Sequence, residues 1–485
     1  MPANLTDPAQ RQVLIIHGWS DTSKSFHTLA DFLGKNNYQA KQLWLGDYIS
    51  MDDDVRVADV GKRMAEVIDE LMQSGELAAS FDVIVHSTGG LVAREWLTTH
   101  YRGRAELCPM KRLIMLAPAN YGSKLAATGK SFLGRVVKGY NNWFQTGKSM
   151  LNDLELASPY QWELAQRDIL VGPGALDSAN PVQFYGDDRV WPFVIVGTHP
   201  YTSLLRQIVN ENGADGTVRA CAANLNAQGV TIDFRESDPL NAISNWPSRL
   251  QNDIPLAVLA TRTHSSIIDP DRAEASNQED IAETPEQKAQ LGTLILQALA
   301  CDSFATYKTL QTQWHDLSEA TAALSKTTSE EPEFFHQYLQ VNCNVVDDQG
   351  RPVTDYFLEF FADTKRNNTE ANVYLHANVI EDVKTNSQNA ALRNLYFDRT
   401  DLMEGYYPLL PKGTDPVLYM SISAASPGDN INYFEREKVG AAMQIPLHFL
   451  NDVQQRWLKR NSTHLLQIII PRIPNTNVFK LTKLG

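Results

Sequence analysis

Between about residues 10 and 300, short apolar runs alternate with segments whose apolar positions recur at helical spacing, the pattern of a largely parallel α/β sheet. The runs Val13–Ile16, Val83–Val85, Leu113–Ala117, Phe193–Val196 and Leu256–Ala260 predict strands. Val60, Met64, Val67, Ile68, Leu71 and Met72 share one face of a helix placed between the first two. A later helix is expected to open at Thr284-Pro285, with Gln287 at the capping-box position and Leu291, Leu294, Ile295, Ala298 and Leu299 along one side. Residues 303–326 read as one more helix.

Beyond it the period changes. The polar stretch Thr327-Thr328-Ser329-Glu330-Glu331-Pro332 reads as a linker, giving a domain over 1–330 and a smaller one over 331–485. Leu339, Val341, Cys343 and Val345 alternate with polar residues, and the turn Asp348-Gln349-Gly350-Arg351-Pro352 leads into Val353–Phe361, which predicts a hairpin. Runs at Val417–Ile422 and Leu465–Ile470 extend the same character, so the second domain is expected to be all-β and sandwich-like.

Composition narrows the function classes. Of the 485 residues, 43% are apolar and 21% charged, an ordinary globular balance, and the length favours two cores over one. A net charge of −14 argues against nucleic acid as a partner. The N-terminal apolar run is too short for a signal peptide, and no stretch approaches the roughly 18–20 apolar residues of a membrane span, so membrane contact is expected to be peripheral. Cysteines 108, 221, 301 and 343 are too widely spaced for a metal knuckle or a disulfide framework and are expected to be buried thiols.

The chemistry is concentrated in Phe81-Asp82-Val83-Ile84-Val85-His86-Ser87-Thr88-Gly89-Gly90. An apolar strand runs into a serine, and a helix begins directly after two glycines. A serine hydroxyl is a poor nucleophile unless a sharp turn exposes it to a neighbouring base, and strand and helix then approach so closely that small residues must flank it. Gly89 meets that need on one side, whereas Val85 stands where the usual pattern has glycine. Ser87 is the expected nucleophile. Val13 to Ile16 leads into His17-Gly18-Trp19, a loop that can supply one backbone N–H to an oxyanion, from Trp19, while Thr88 supplies the second. His17 is read as orienting this loop rather than as the base.

A hydrolase chain order of serine, acid, histidine selects Asp215, in Asn212-Gly213-Ala214-Asp215-Gly216-Thr217-Val218, and His264, in Thr261-Arg262-Thr263-His264-Ser265-Ser266. Asp187, Asp188 and Asp233 are the reserve acids, and His199, which precedes the acid, is the weaker base. A turn aspartate and a structural histidine are the plain alternatives at 215 and 264.

Two segments point to lipid. No acid lies between Glu106 and Asp153, while Lys130, Arg135 and Lys138 accompany Phe132, Val136, Tyr140, Trp143 and Phe144. Such a basic amphipathic element reads either as a lid or membrane-surface helix, within a cap over about 124–190, or as a solvated basic face. The tail from Gln454 to Gly485 is also free of acids and carries Arg456, Lys459, Arg460, Arg472, Lys480 and Lys483. Anionic lipid or an intersubunit contact would each account for it.

His17-Gly18-Trp19-Ser20, His86-Ser87-Thr88-Gly89-Gly90, Leu116-Ala117-Pro118-Ala119-Asn120-Tyr121-Gly122-Ser123 and Asp215-Gly216-Thr217-Val218-Arg219 together resemble bacterial lipases, and more closely the PlaB-type cell-associated phospholipases A. The resemblance implies an α/β-hydrolase fold with a helical lid, and phospholipase A and lysophospholipase activity with Ser87, Asp215 and His264 on the family's motif positions. It also implies a bacterial, cell-associated protein with peripheral membrane contact through its C-terminal domain, and self-association into dimers or tetramers. A regulatory ligand of the NAD type is compatible with it, although no Gly-x-Gly-x-x-Gly run is present, and the hydrolysis itself calls for neither cofactor nor metal. The other readings are a short-chain carboxylesterase or acyltransferase using the same triad, and a membrane-binding or assembly module.

Overall fold

In the computed structural model the described residues are 11–19, 21–127, 147–201, 210–236, 242–271, 283–329, 331–362, 369–412, 417–433, 443–446 and 458–484. They form two compact units, Met1–Asn226 with Ser248–His336, and Ala227–Pro247 with Gln337–Gly485.

The first unit is built on strands β1 (Gln12–Ile16), β2 (Leu43–Gly46), β3 (Phe81–His86), β4 (Met110–Leu116) and β5 (Trp191–Gly197). The next two strands in the chain, β6 (Ala227–Asp233) and β7 (Ile243–Asn245), lie in the second unit, and β8 (Leu256–Leu259) returns to the first. The sheet is wholly parallel, in the order β2-β1-β3-β4-β5-β8. Parallel neighbours need crossover connections, and helices supply them. The main ones are α1 (His27–Lys35), α2 (Val57–Ser74) and α3 (Gly89–His100). Five strands coincide with the predicted ones. β2, the edge strand, has only four residues and a half-exposed pattern, too short to show a period.

Central β3 is buried along its whole length, including Asp82. Its carboxylate accepts from Arg112 Nη1 at 2.9 Å and lies 3.5 Å from Arg11 Nε. Burial raises the Asp82 pKa while the two guanidiniums oppose the rise. Short helices α4 (Lys124–Ala127), α5 (Lys148–Leu154), α6 (Pro159–Asp168) and α7 (Ala220–Ala223) follow. A buried ion pair, Arg94 Nε to Asp168 Oδ2 at 2.8 Å, ties α3 to α6. The predicted capping box opens α8 (Pro285–Ala300), with Gln287 N–H donating to Thr284 Oγ1 at 3.3 Å and Thr284 N–H to Gln287 Oε1 at 2.9 Å. The last helix of the unit is α9 (Phe304–Ala323).

Besides β6 and β7, the second unit has β9 (Tyr338–Asp347), β11 (Ile380–Thr385), β12 (Leu392–Asp398) and β16 (Ser462–Ile470), which form a six-stranded mixed sheet in the order β11-β12-β9-β16-β6-β7. A three-stranded antiparallel sheet joins β10 (Tyr356–Phe361), β13 (Val417–Ala424) and β15 (Met443–Pro446), and short β14 (Ile431–Asn432) pairs with β17 (Ile473–Pro474). Val345, Leu339, Leu466 and Ile468 from the larger sheet share one core with Phe360, Leu418, Met420 and Ile422 from the smaller, which gives the expected sandwich-like β character. The expected hairpin is confined to the turn and the residues beside it. β9 pairs with β12 and β16, while β10 pairs with β13 in the other sheet. The tight turn exists, with Asp347 Oδ1 accepting from the Gln349 and Arg351 amides. The Asp347 amide donates to Arg351 O and the Val353 amide to Val345 O, both at 2.9 Å, before the chain enters the smaller sheet as β10. The sequence boundary at 330/331 placed residues 227–247 with the hydrolase, whereas β6 pairs in parallel with β16 from Thr463↔Ala227 to Ile469↔Asp233.

All four cysteines are buried thiols. Among the described residues no helix is long and apolar enough to cross a membrane.

Candidate active site

Ser87 follows the last residue of β3 and precedes α3, with φ at +53°. That left-handed conformation costs an L residue roughly 1–2 kcal/mol and is held only where its surroundings fix it. Here Ser87 N–H donates to Leu116 O at 3.0 Å, and Ser87 O accepts from Gly90 N–H at 3.1 Å. Crowding explains the glycines. A Cβ on Gly89 would lie 2.9 Å from Ile16 O and 3.3 Å from Val85 Cβ, and one on Gly18 would lie 2.7 Å from Ser87 Cβ. The missing side chain at 89 is therefore what makes room for Val85, and the departure from the usual glycine is accommodated.

His264 and Asp215 are brought together. Nδ1–H of His264 donates to Asp215 Oδ2 at 2.9 Å, and the His264 amide donates to Asp215 O at 2.9 Å. Because a carboxylate only accepts, this bond fixes the neutral tautomer with its lone pair on Nε2. Asp215 is fully buried, and its Oδ1 accepts from the amides of Thr217 at 3.0 Å and Val218 at 2.8 Å. The loop that holds it depends on Gly216, at φ +91°, where a Cβ would meet the Tyr201 ring at 2.6 Å. The loop carrying His264 crosses the end of β5 closely enough that a Cβ on Gly197 would lie 1.7 Å from Arg262 O.

Ser87 and His264 line one cavity of about 410 Å³, together with Trp19, Thr88, Leu125, Leu151, Leu154 and Ile268. The amides of Trp19 and Thr88 have no carbonyl partner among the described residues. His17 is engaged elsewhere. Its Nε2 accepts from Tyr48 N–H at 3.1 Å, its Nδ1–H donates to Gly18 O at 2.7 Å, and its ring stacks on Tyr48 at 4.3 Å. It therefore shapes the loop carrying Trp19, as its position before Gly18 suggested. The reserves lie apart from this arrangement. Asp187 and Asp188 are exposed in the turn before β5, Asp233 binds Arg235 in the second unit, and half-buried His199 is fixed by its amide to Arg262 O at 3.2 Å.

Of the basic amphipathic stretch, Phe132 to Phe144 lies outside the described residues, while Leu125 in α4 and Leu151 and Leu154 in α5 line the cavity. Sequence reading missed two supports. Tyr201 OH lies 3.1 Å from Thr217 Oγ1 and 3.4 Å from Ser265 Oγ, bracketing the loops that carry Asp215 and His264. Ser123 Oγ–H donates to Thr217 O at 2.6 Å. Ser123 ends one of the motif runs quoted above but had no role assigned to it, and Tyr201 lies in no motif.

A family model described as a domain of unknown function (DUF7379) matches residues 1–156. No curated protein matches the sequence. Among solved structures, phospholipase PlaB from Legionella pneumophila superposes with a TM-score of 0.74 at 24% identity, over 98% of this chain and 96% of that one. The same enzyme in complex with thio-NAD gives 0.75 at 23%, over the same shares. The parallel sheet, the positive-φ turn after β3 and the superposition over 98% of the chain agree, and the chain has the α/β-hydrolase fold of that structure.

Proposed function

We propose that the chain hydrolyses acyl esters of phospholipids and lysophospholipids through an acyl-enzyme on Ser87. The observation that carries this reading is a serine on a positive-φ elbow facing the same largely apolar cavity as a histidine already oriented by a buried aspartate. His264 Nε2 takes the Ser87 proton as Oγ attacks the ester carbonyl, and the negative charge on the former carbonyl oxygen is met by the Trp19 and Thr88 amides. Collapse expels the lysolipid or glycerol alkoxide, which takes the proton from His264. Water, deprotonated by the same imidazole, then attacks the acyl-enzyme and releases the fatty acid and the serine hydroxyl. Asp215 stabilises the imidazolium formed in each half.

The lipid assignment is supported by Leu125, Leu151, Leu154 and Ile268 around the cavity and by the phospholipase activity named for the Legionella neighbour. Peripheral membrane contact is part of the proposal. Exposed Phe479, Leu481 and Leu484 alternate with Lys480 and Lys483 in the tail, the combination that favours anionic lipid surfaces. Self-association enters the proposal from the sequence resemblance alone, and a regulatory nicotinamide-type ligand is supported by the neighbour solved with thio-NAD.

The test is fatty-acid release from diacyl- and lysophospholipid micelles by wild type and Ser87→Ala. Wild-type release with a loss of roughly 10⁴–10⁶ in the variant is expected. Equal release by both excludes Ser87 as the nucleophile. Turnover confined to short soluble esters, or to transfer onto an alcohol, replaces the lipase reading with an esterase or acyltransferase. Retained vesicle binding and biological effect in Ser87→Ala would point to a membrane module.

A further inference from the structure

The residue before the nucleophile takes no part in the triad, yet it touches the base. His86 closes β3, is buried, and lines the cavity. Its Nε2 lies 3.0 Å from His264 O, and the two imidazole rings are 4.6 Å apart between centroids, inclined at 42°. A carbonyl oxygen only accepts, so Nε2 carries the hydrogen and Nδ1 is bare. That nitrogen is buried and has no partner among the described residues. The opposite side of the ring is closed by the edge of Phe26, centroids 6.0 Å apart, and by Gly18, whose Cβ, were there one, would sit 3.3 Å from Nδ1. His86 thus stands between the loop bearing Trp19 and the loop bearing the base.

We infer that His86 is a positioning residue for His264: its Nε2–H anchors the main chain of the base. The inference rests on the reading of His264 as general base. The geometry supports it: among the described residues the other hydrogen bonds of His264 go to Asp215, from its Nδ1 and its amide, and the bond to His86 is the one at its carbonyl. Burial, with His264 and His17 as the ionisable groups facing it, holds His86 well below the ordinary histidine pKa. The anchor therefore persists while His264 cycles through its charged form, and no second positive charge accumulates beside it.

The experiment measures kcat and KM on a soluble ester, and labelling by a fluorophosphonate, for full-length wild type, Ser87→Ala, His86→Phe and His86→Gln. Phenylalanine keeps the ring without the donor; glutamine restores an N–H at about the reach of Nε2. The expected result is a fall in kcat of roughly 10- to 100-fold for His86→Phe with KM held within about twofold, and recovery to within about threefold of wild type for His86→Gln. His86→Leu replaces the phenylalanine variant if that one melts below the assay temperature. Wild-type kcat in His86→Phe, or equal losses in both variants, overturns the role. Wild type that neither turns over ester nor takes label at Ser87 overturns the parent reading and this inference with it, a pattern distinct from the other two.

Discussion

At the residue scale the proposed role of Asp215 is open to a direct test. Asp215→Asn keeps the shape but can present an N–H to Nδ1, selecting the tautomer with no lone pair on Nε2. A fall in kcat on the order of 10⁴ is expected, with KM little changed, in steady-state ester hydrolysis. A loss under tenfold would show that His264 is oriented by something else. His86 makes a second test at this scale, through stability. Its folded pKa lies well below 6.5, so below about pH 6.5 the unfolded chain binds a proton that the folded one refuses. Its contribution to stability is therefore complete above that pH and drains as pH falls. Melting curves from pH 7.5 to 5 should show a decline in Tm that is smaller in His86→Gln than in wild type.

At the element scale two packing constraints control the site. Gly197 ends β5 where the base loop crosses it, and a methyl there meets the Arg262 carbonyl, which is backbone and cannot swing aside. Gly197→Ala is expected to displace the loop carrying His264 and lower kcat by roughly 10² or more, since misplacement of about 1 Å is enough for such losses. Fluorophosphonate labelling of Ser87 should slow in parallel. In the centre of the sheet, Asp82→Ala leaves Arg112 and Arg11 buried without their carboxylate. It should destabilise the first unit by about 3–5 kcal/mol, read from denaturant midpoints. A shift under about 1 kcal/mol would mean the arginines find other partners. Neither constraint was visible as chemistry in the sequence. Neither Gly197 nor Asp82 had a role assigned from the sequence. A close crossing and a buried ion pair are relations between distant segments, and no local pattern encodes them.

At the scale of the whole molecule the chain leaves the first unit at Asn226, contributes β6 and β7 to the second, and returns at Ser248. Truncation at residue 330 would strip β6 of its neighbour β16 and leave Val230 and Ile232, buried in the intact chain, without their core. An unpaired apolar strand of this kind is an aggregation hazard. Residues 1–330 alone are therefore expected to elute as aggregate in size exclusion, while the full chain does not. A monodisperse, active fragment would show that β6 is dispensable to the first unit.

The sequence by itself determined what local covalent order can express. Five strands of the parallel sheet follow from apolar runs, the capped helix from Thr284 and Gln287, and the elbow from strand, serine and paired glycines. Chain order and glycine-rich context also placed Asp215 and His264 ahead of Asp187, Asp188, Asp233 and His199, because the turns that present a side chain to a cleft are built from neighbouring residues. Tertiary structure alone decided the rest: that β9 and β10 belong to different sheets, that residues 227–247 pair with β16, and that Tyr201, Ser123 and His86 surround the acid and the base. Those outcomes depend on which distant segments share hydrogen bonds and fill the same space, and that is settled only when the whole chain packs.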